Sequence, residues 1–449
     1  MDRDAQAQTT GFDIASLPVV DPTAKGAVPA ATPMAGRPYG VLGRVLGHSY
    51  TPAIYRELAG LDYRKFEREP GELEDFLAGS EWEGVNVTIP YKQAVLPYLD
   101  ELTPMAARMG NVNTITRLAD GRLRGDNTDY YGFRVLAESL GLDLAGKRAL
   151  VFGHGGAGST CAMVLGDLGM DVTFVGREER EEDPGALTYD ELHEKATDAA
   201  LAVNCTPVGM WPKCPASVYD LAELPALAGL IDIVYNPART GLMLQAEKLG
   251  LPHAGGLLML VAQAAQAVER YTGKVVDMAR IEQVTRELSE REQNIVLIGM
   301  PGCGKTRVGE QLAALTGREQ VDIDHEMEAR TGLSCPEAIA TQGEEAFRDL
   351  ETRVLHDVAS RSGRIVSCGG GVVMRPENYE LLHQNGIIVM LNRPLSDLAR
   401  KNRPITARMG VEALAQLRMP TYRSWADLII DSRDCAANTA KAIFEALGL

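Results

Sequence analysis

Two glycine-rich loops, each set between an apolar run and an amphipathic segment, constrain this chain more than any other feature. The first lies in KRALVFGHGGAGSTCAMVLGDLG, with Gly153, Gly155 and Gly158 in G-x-G-x-x-G spacing. The second lies in NIVLIGMPGCGKTRVGEQLAALTG, where Gly299, Gly304, Lys305 and Thr306 fit G-x-x-x-x-G-K-T. Both read as strand, tight turn and helix start. A backbone without Cβ atoms can bring its N–H groups up to phosphate oxygens, and the helix N-terminus favours the negative charge. The loops lie about 150 residues apart, which predicts two separate nucleotide-binding domains.

A chain of 449 residues has room for about three compact units. With 45 Lys and Arg against 61 Asp and Glu, its net charge of -16 argues against a nucleic-acid partner, which needs a basic face. An anionic small molecule would have to be held by a few local arginines and lysines. The seven cysteines (161, 205, 214, 303, 335, 368 and 435) show neither zinc-ligand nor CxxC spacing, so reduced thiols in a cytoplasmic protein are expected. The opening MDRDAQAQTTGFD lacks the apolar core of a signal peptide. The longest apolar stretch, about 255–268, is interrupted by Gln263 and Gln266 and is too short to span a membrane.

Strand and helix patterns alternate along the chain, which predicts α/β architecture with parallel sheets. Residues 1–37, rich in Ala, Pro, Thr and Gly, read as a flexible N-terminal tail. YGVLG, GVNVTIP and NTITRL read as strands; SYTPAIYRELAGL and TDYYGFRVLAESLG read as helices. A second series runs through KRALVFG, DVTFVG, AALAVNCT and LIDIVY to the helical GLLMLVAQAAQAVERYTG. The polar stretch RIEQVTRELSEREQ then leads to NIVLIG and a third series.

Within the first loop, Gly153, Gly155, Gly156, Ala157 and Gly158 are the candidate dinucleotide cradle. The next strand ends at Gly176-Arg177, where Arg177 offers a guanidinium to a 2′-phosphate and so favours NADP(H). Glu178 and Glu179 could repel that phosphate, or belong to a solvated charged turn. In GVNVTIPYK, period-two alternation sets Asn86 and Thr88 on one face, with Lys92 beyond Pro90. Such a rim suits a polyhydroxylated substrate, although an isolated Lys is more often a surface residue. Asp129 in GDNTD has a plain alternative as a helix cap. In the second loop, Gly299, Gly302, Cys303 and Gly304 would wrap a nucleoside triphosphate, Lys305 would span the transferred phosphoryl and Thr306 would ligate Mg²⁺.

HSYTP, NVTIPYK, GNVNTI, GDNTD, GHGGAG, NCTPVGM and GGLLMLVAQA occur in an order that resembles the shikimate dehydrogenase family over about 39–288. The resemblance implies reduction of 3-dehydroshikimate by NADPH, with Lys92 and Asp129 as the catalytic pair. It further implies that Ser49, Thr51, Asn86, Thr88, Asn113, Tyr235 and Gln263 bind substrate, and that Gly256 and Met259 flank the nicotinamide. Thr51 stands where the family often has Ser, and His154 where it often has Ala.

From about 293 to 449, DID, GEEAFRDLE, CGGGVV, NRPI and RMPTYR resemble shikimate kinase. This resemblance implies ATP and Mg²⁺ as cofactors, Asp322 at the metal, and Asp324 at the acceptor hydroxyl. Arg348, Gly369, Gly370 and Arg418 would hold shikimate, and Arg403 would cover ATP. The implied architecture is a substrate-binding domain over 38–135, completed by helices about 256–288, and a Rossmann-like NADP domain over 136–255. A P-loop kinase domain over 291–449 follows. The expected function is a bifunctional enzyme of aromatic biosynthesis, with small-molecule substrates and no stated oligomeric state. The alternatives are a quinate/shikimate dehydrogenase fused to another small-molecule kinase, or a regulatory relative without catalysis.

Overall fold

The computed structural model describes residues 12–32, 37–47, 50–178, 183, 185–399 and 408–449. Three sheets organise them. The first has the order β2-β1-β3-β5-β6-β4 and contains β1 (Tyr39–Gly43), β2 (Tyr63–Glu67), β3 (Gly84–Val87), β4 (Glu101–Leu102), β5 (Thr114–Arg117) and β6 (Leu123–Asp126). It is mixed rather than parallel, because β3 and β6 both run antiparallel to β5. Only residues 118–122 join β5 to β6, and a crossover to a parallel neighbour needs a dozen or more.

The second sheet has the order β12-β11-β10-β7-β8-β9: β7 (Arg148–Phe152), β8 (Asp171–Gly176), β9 (Leu187–Thr188), β10 (Ala199–Asn204), β11 (Gly229–Asp232) and β12 (His253–Gly255). Every pairing in it is parallel. Its central strands are covered on both faces and therefore read as unbroken apolar runs. Ala149, Val151, Leu201, Val203 and Ile231 pack there with Phe133, Cys161 and Val164. The third sheet is also all parallel, with the order β14-β15-β13-β16-β17. Its strands are β13 (Asn294–Ile298), β14 (Gln320–Asp322), β15 (Ile365–Ser367), β16 (Gly386–Asn392) and β17 (Leu428–Asp431). β13 lies at its centre and delivers the second glycine loop.

By its contacts the chain forms two compact units. One holds Met1–Thr206, Ala222–Ile233 and Leu251–Glu287; the other holds Pro207–Leu221, Val234–Gly250 and Leu288–Leu449. All seven cysteines are free thiols. No helix among the described residues is long and apolar enough to cross a membrane.

One expectation needs correction. Residues 12–32 are not a loose tail. Val20 N–H donates to the Leu102 carbonyl at 2.8 Å and Leu102 N–H to the Pro18 carbonyl at 2.8 Å. Ala31 N–H bonds the Arg117 carbonyl at 2.8 Å, so the segment borrows backbone partners from β4 and β5 that its own composition could not supply. The polar stretch before β13 is a helix, Met278–Glu292. It has a narrow apolar stripe of Ile281, Val284 and Leu288, each buried, hidden among charged residues.

Candidate active sites

In the N-terminal unit, β3 carries Asn86, and Thr88 and Lys92 follow in the turn beyond it. The Lys92 carbonyl accepts from Val112 N–H at 2.8 Å, which seats the lysine beside the start of β5. From there Lys92 Nζ reaches Asp129 Oδ2 at 2.5 Å, both side chains partly open to solvent. Asp129 is the first residue of the helix Asp129–Ser139, and Thr128 precedes it without making a side-chain cap. The capping alternative for Asp129 thus fails. Its backbone N–H is held instead by Asn127 Oδ1 at 3.1 Å, leaving the carboxylate to the lysine.

Asn113, Thr128 and Gln263 are buried next to this pair. Asn113 Oδ1 accepts from Thr128 N–H at 2.8 Å, and the Thr128 hydroxyl lies 3.3 Å from Gln263 Oε1. Gly132 lets this helix meet the helix Leu257–Thr272: a Cβ there would sit 2.7 Å from the Met259 carbonyl and 2.9 Å from Gln263 Cβ. Thr128 was not among the expected site residues, although GDNTD contains it.

Asn86 behaves differently from its expected role. Its Oδ1 accepts from Tyr55, Tyr63 and Tyr271 at 2.5, 2.9 and 3.1 Å, and its Nδ2 donates to Thr114 Oγ1 at 3.1 Å. Burial drives the three phenol groups well above their ordinary range, so all remain neutral donors. The Asn86 amide is spent inside the protein, and we remove it from the substrate contacts. Thr51 opens the helix Thr51–Ala59, and Thr88 is half-buried. Ser49 lies outside the described residues. Tyr235 belongs by its contacts to the other unit, where burial raises its hydroxyl pKa.

The first glycine loop lies between β7 and the helix Gly156–Asp167. Gly153 has a φ of 100°, and a Cβ on Gly158 would sit 2.1 Å from the Gly153 carbonyl oxygen. Gly155 and Gly156 have open space where a side chain would be, which is the cradle a pyrophosphate needs. Arg177 is exposed at the end of β8 and makes no ion pair among the described residues. Gly256 has a packing duty, since a Cβ would fall 2.0 Å from the Ile233 carbonyl oxygen; Met259 is half-buried.

The second loop follows β13 with Gly299, Gly302 and Gly304 at φ 142°, 86° and 102°, all values that favour glycine. Lys305 begins the helix Lys305–Thr316, and its ammonium turns back to the Gly299 carbonyl at 2.9 Å. Cys303 is a small buried residue beneath the loop. The Thr306 hydroxyl donates to Asp322 Oδ2 at 2.6 Å, while Asp322 Oδ1 accepts from Asp324 N–H at 3.0 Å. Among the described residues no group of three or more His, Cys, Asp or Glu side chains could hold a metal ion. Arg403 lies outside the described residues.

Beside this loop, three consecutive glycines let other groups close in. A Cβ on Gly369 would meet Glu351 Oε1 at 2.6 Å and Asp324 Oδ1 at 2.9 Å; on Gly370, Pro301 at 2.6 Å; on Gly371, the Arg348 guanidinium at 2.1 Å. Arg348 Nη1 holds Glu351 Oε2 at 2.6 Å, yet burial keeps the Glu351 carboxyl above its ordinary pKa and leaves Oε1 without a partner. Arg418 is buried too, donates to the Gly370 carbonyl at 2.7 Å and has no carboxylate within ion-pair distance among the described residues. Burial lowers its pKa. Glu351 was missed, although its place one helical turn after Arg348 in GEEAFRDLE is the signal that could have found it.

Fold and sites define a class: an α/β dinucleotide reductase continuous with a P-loop phosphotransferase. Comparison with known proteins narrows it. The family model described as shikimate dehydrogenase substrate binding domain matches residues 41–115, and the one described as shikimate kinase matches 301–448. A shikimate dehydrogenase (NADP(+)) of Symbiobacterium thermophilum is 37% identical over 268 residues, 53% of this chain and 90% of that protein. A second, from Geobacillus kaustophilus, is 36% identical over 56% of this chain and 99% of its own. The crystal structure of a chorismate mutase/shikimate 5-dehydrogenase fusion protein from Clostridium acetobutylicum superposes with a TM-score of 0.54 at 30% identity, covering 57% of this chain and 98% of its own. The chain belongs to the shikimate dehydrogenase family and carries a shikimate kinase domain at its C-terminal end.

Proposed function

We propose that this chain makes shikimate from 3-dehydroshikimate with NADPH and then phosphorylates shikimate with ATP. One observation carries the reading: a reductase-type Lys–Asp pair, Lys92–Asp129, shares its chain with a shikimate kinase domain. NADPH supplies a hydride to the ketone carbon. Lys92 is the group that delivers a proton to the ketone oxygen as negative charge develops there, and Asp129 holds the ammonium in line. Asn113 and Gln263 stand ready for ring hydroxyls, and Thr51 for the carboxylate. Arg177 is the contact for the coenzyme 2′-phosphate.

In the kinase, Asp324 faces the acceptor hydroxyl and takes its proton, while Lys305 steadies the charge of the transferring group. Thr306 and Asp322 would hold Mg²⁺, which would supply positive charge against the nucleotide phosphates. Arg348 and Arg418 would clamp the substrate carboxylate, and Arg418, a buried guanidinium with no carboxylate within ion-pair distance among the described residues, favours that pairing. We divide the chain by its sheets into a substrate-binding domain over 38–135 completed by 256–288, an NADP domain over 136–255 and a kinase over 291–449. A cytoplasmic location accords with the unpaired cysteines. The test is a single assay of 3-dehydroshikimate, NADPH and MgATP, with products resolved by mass. Accumulation of shikimate 3-phosphate is expected; consumption of NADPH without any phosphorylated product would refute the second half of the reading.

A further inference from the structure

Residues 44–47 follow β1 and precede the helix Thr51–Ala59, and they form no helix or strand. Val45 among them is 82% exposed. Two charged side chains of the edge strand β2 hold this loop nonetheless. Lys65 Nζ donates to the Gly47 carbonyl and reaches the Leu46 carbonyl at 3.4 Å, while Leu46 N–H donates to Glu67 Oε1 at 2.6 Å. Arg44 Nε pairs with Glu69 at 3.0 Å, just past the end of β2. An ammonium carries only donors and a carboxylate only acceptors. Lys65 and Glu67, two positions apart on the strand, therefore match the carbonyls and the N–H of a loop that lacks ladder partners.

Charged residues along a sheet edge often serve only to keep that edge in water. Here their bonds end beside groups assigned to substrate. β1 ends at Gly43, and a Cβ there would sit 2.7 Å from Leu46 Cδ2 and 2.9 Å from Thr88 Cγ2. The bare glycine leaves one small space that the Leu46 side chain and the Thr88 methyl share. Thr88 N–H is tied to the Leu42 carbonyl at 2.9 Å. With its backbone anchored and its methyl bounded by Leu46, this β-branched side chain has little rotamer freedom, and its hydroxyl is fixed with it. All of these residues belong to the N-terminal unit, together with Lys92 and Asp129.

We propose that Lys65 and Glu67 are positioning residues for ketone reduction: through Leu46 and Gly47 they preform the rim, Thr88 and the approach to Thr51, that receives 3-dehydroshikimate. The inference rests on the reading of Thr51 and Thr88 as substrate contacts. A preformed rim spends no binding energy on ordering the loop, so loss of either tie weakens ground state and transition state alike. The sign of the charge separates this role from simple attraction. The substrate is a carboxylate, so removing the negative charge of Glu67 would by attraction alone tighten binding, whereas removing its tie to Leu46 loosens it.

The experiment uses the full-length chain. Lys65→Met, Lys65→Arg and Glu67→Ala are compared with wild type by steady-state kinetics of both reactions, with Thr51→Val and Thr88→Val as reporters of the substrate contacts. Lys65→Met and Glu67→Ala should each raise the KM for 3-dehydroshikimate about threefold to tenfold, the scale of one charge-assisted bond at an exposed site. The kcat should stay within about twofold, Lys65→Arg should keep the KM near wild type, and phosphorylation should be untouched. A lower KM in Glu67→Ala would reduce the pair to long-range charge and overturn the proposal. So would an unchanged KM in Lys65→Met and Glu67→Ala while either threonine variant raises it. An unchanged KM in all four defeats the substrate reading of the threonines and the proposal with it. A fall in kcat and thermal midpoint that Lys65→Arg shares would mark the ties as merely structural, which also overturns it.

Discussion

The two catalytic centres solve the same electrostatic problem in opposite ways. In the reductase centre the charged pair is complete and partly wet: Lys92 and Asp129 are 31% and 18% exposed and neutralise each other at 2.5 Å. In the proposed kinase acceptor site Arg348 and Glu351 are 6% and 1% exposed, and Arg418 adds a second buried guanidinium with no carboxylate within ion-pair distance among the described residues. Solvated pairs gain little and lose little when broken, whereas a desolvated charge without a partner is costly. The reductase centre is thus ready before substrate arrives. On the proposed reading, Arg418 supplies positive charge that a substrate carboxylate would complete.

The largest effect that tests this contrast is in the phosphate loop. Lys305→Ala should lower phosphoryl transfer by roughly 10³-fold or more, because that reaction depends almost wholly on positioning and charge. Reduction should continue unchanged, and parallel loss of both activities in a folded protein would break the division into two centres. Lys92→Ala should lower ketone reduction by about 10²–10⁴-fold, the range for a positioned proton donor. Because Asp129 stays partly solvated, the thermal midpoint of Lys92→Ala should stay near wild type; a sharp drop would mean the pair is not self-sufficient.

Arg418→Met probes the dry pocket. Removing one charge-assisted contact worth about 1.5–3 kcal/mol should raise the kinase KM for shikimate about 10–150-fold. The substrate-free protein should be as stable as wild type or more so, since a desolvated charge without a direct ion pair among the described residues has been removed. Equal destabilisation with and without shikimate would show that Arg418 is merely structural.

Two smaller effects concern the N-terminal unit. Arg177→Ala should narrow the preference for NADPH over NADH by about tenfold, through loss of a charge-assisted contact to the 2′-phosphate. Identical kcat/KM ratios before and after the substitution would exclude that contact. Asp167 accepts from Arg108 at 2.6 and 2.7 Å and from Tyr130 at 2.7 Å. Its hydrogen bonds to Arg108 and then Tyr130 lower its carboxyl pKa from 3.8 to about 2. A carboxyl depressed on folding stabilises the protein above its unfolded pKa, and that gain is lost as pH falls from about 4 through about 2. Asp167→Asn should therefore reduce stability at neutral pH by at most about 1 kcal/mol, the scale of a solvent-screened pair. The difference from wild type should shrink at pH 3 in chemical denaturation, and a constant difference would assign the effect to something other than this charge.

Much of this was legible because the signals are local. A P-loop needs its glycines, lysine and threonine within a few residues, so Gly299–Thr306 could be read without the fold. The parallel second and third sheets followed from apolar runs alternating with helices. The first sheet was harder. β6 is LRGD, with little apolar content, and its antiparallel pairing depends on a five-residue link rather than on composition. The helix Met278–Glu292 hid a three-residue stripe among charges. The pairing of residues 18–31 with β4 and β5 depends on backbone bonds, which residue types do not encode.

Sequence alone determined which chemistry the chain can perform, because reacting groups are specified by residue type: an ammonium at 92, a carboxylate at 129, a lysine inside a glycine loop at 305. Tertiary structure decided which polar groups remain available for it. Asn86 and Gln263 are both buried amides, yet three tyrosines from separate elements converge on one and spend it, while the other stays with Thr128 beside the catalytic pair. Arg348 and Arg418 are alike as residues and both buried, and only the position of Glu351 divides them: one is ion-paired with it at 2.6 Å, the other bonds the Gly370 carbonyl. Hydrogen-bond capacity and solvation are properties of surroundings, and those surroundings assemble from positions far apart in the chain.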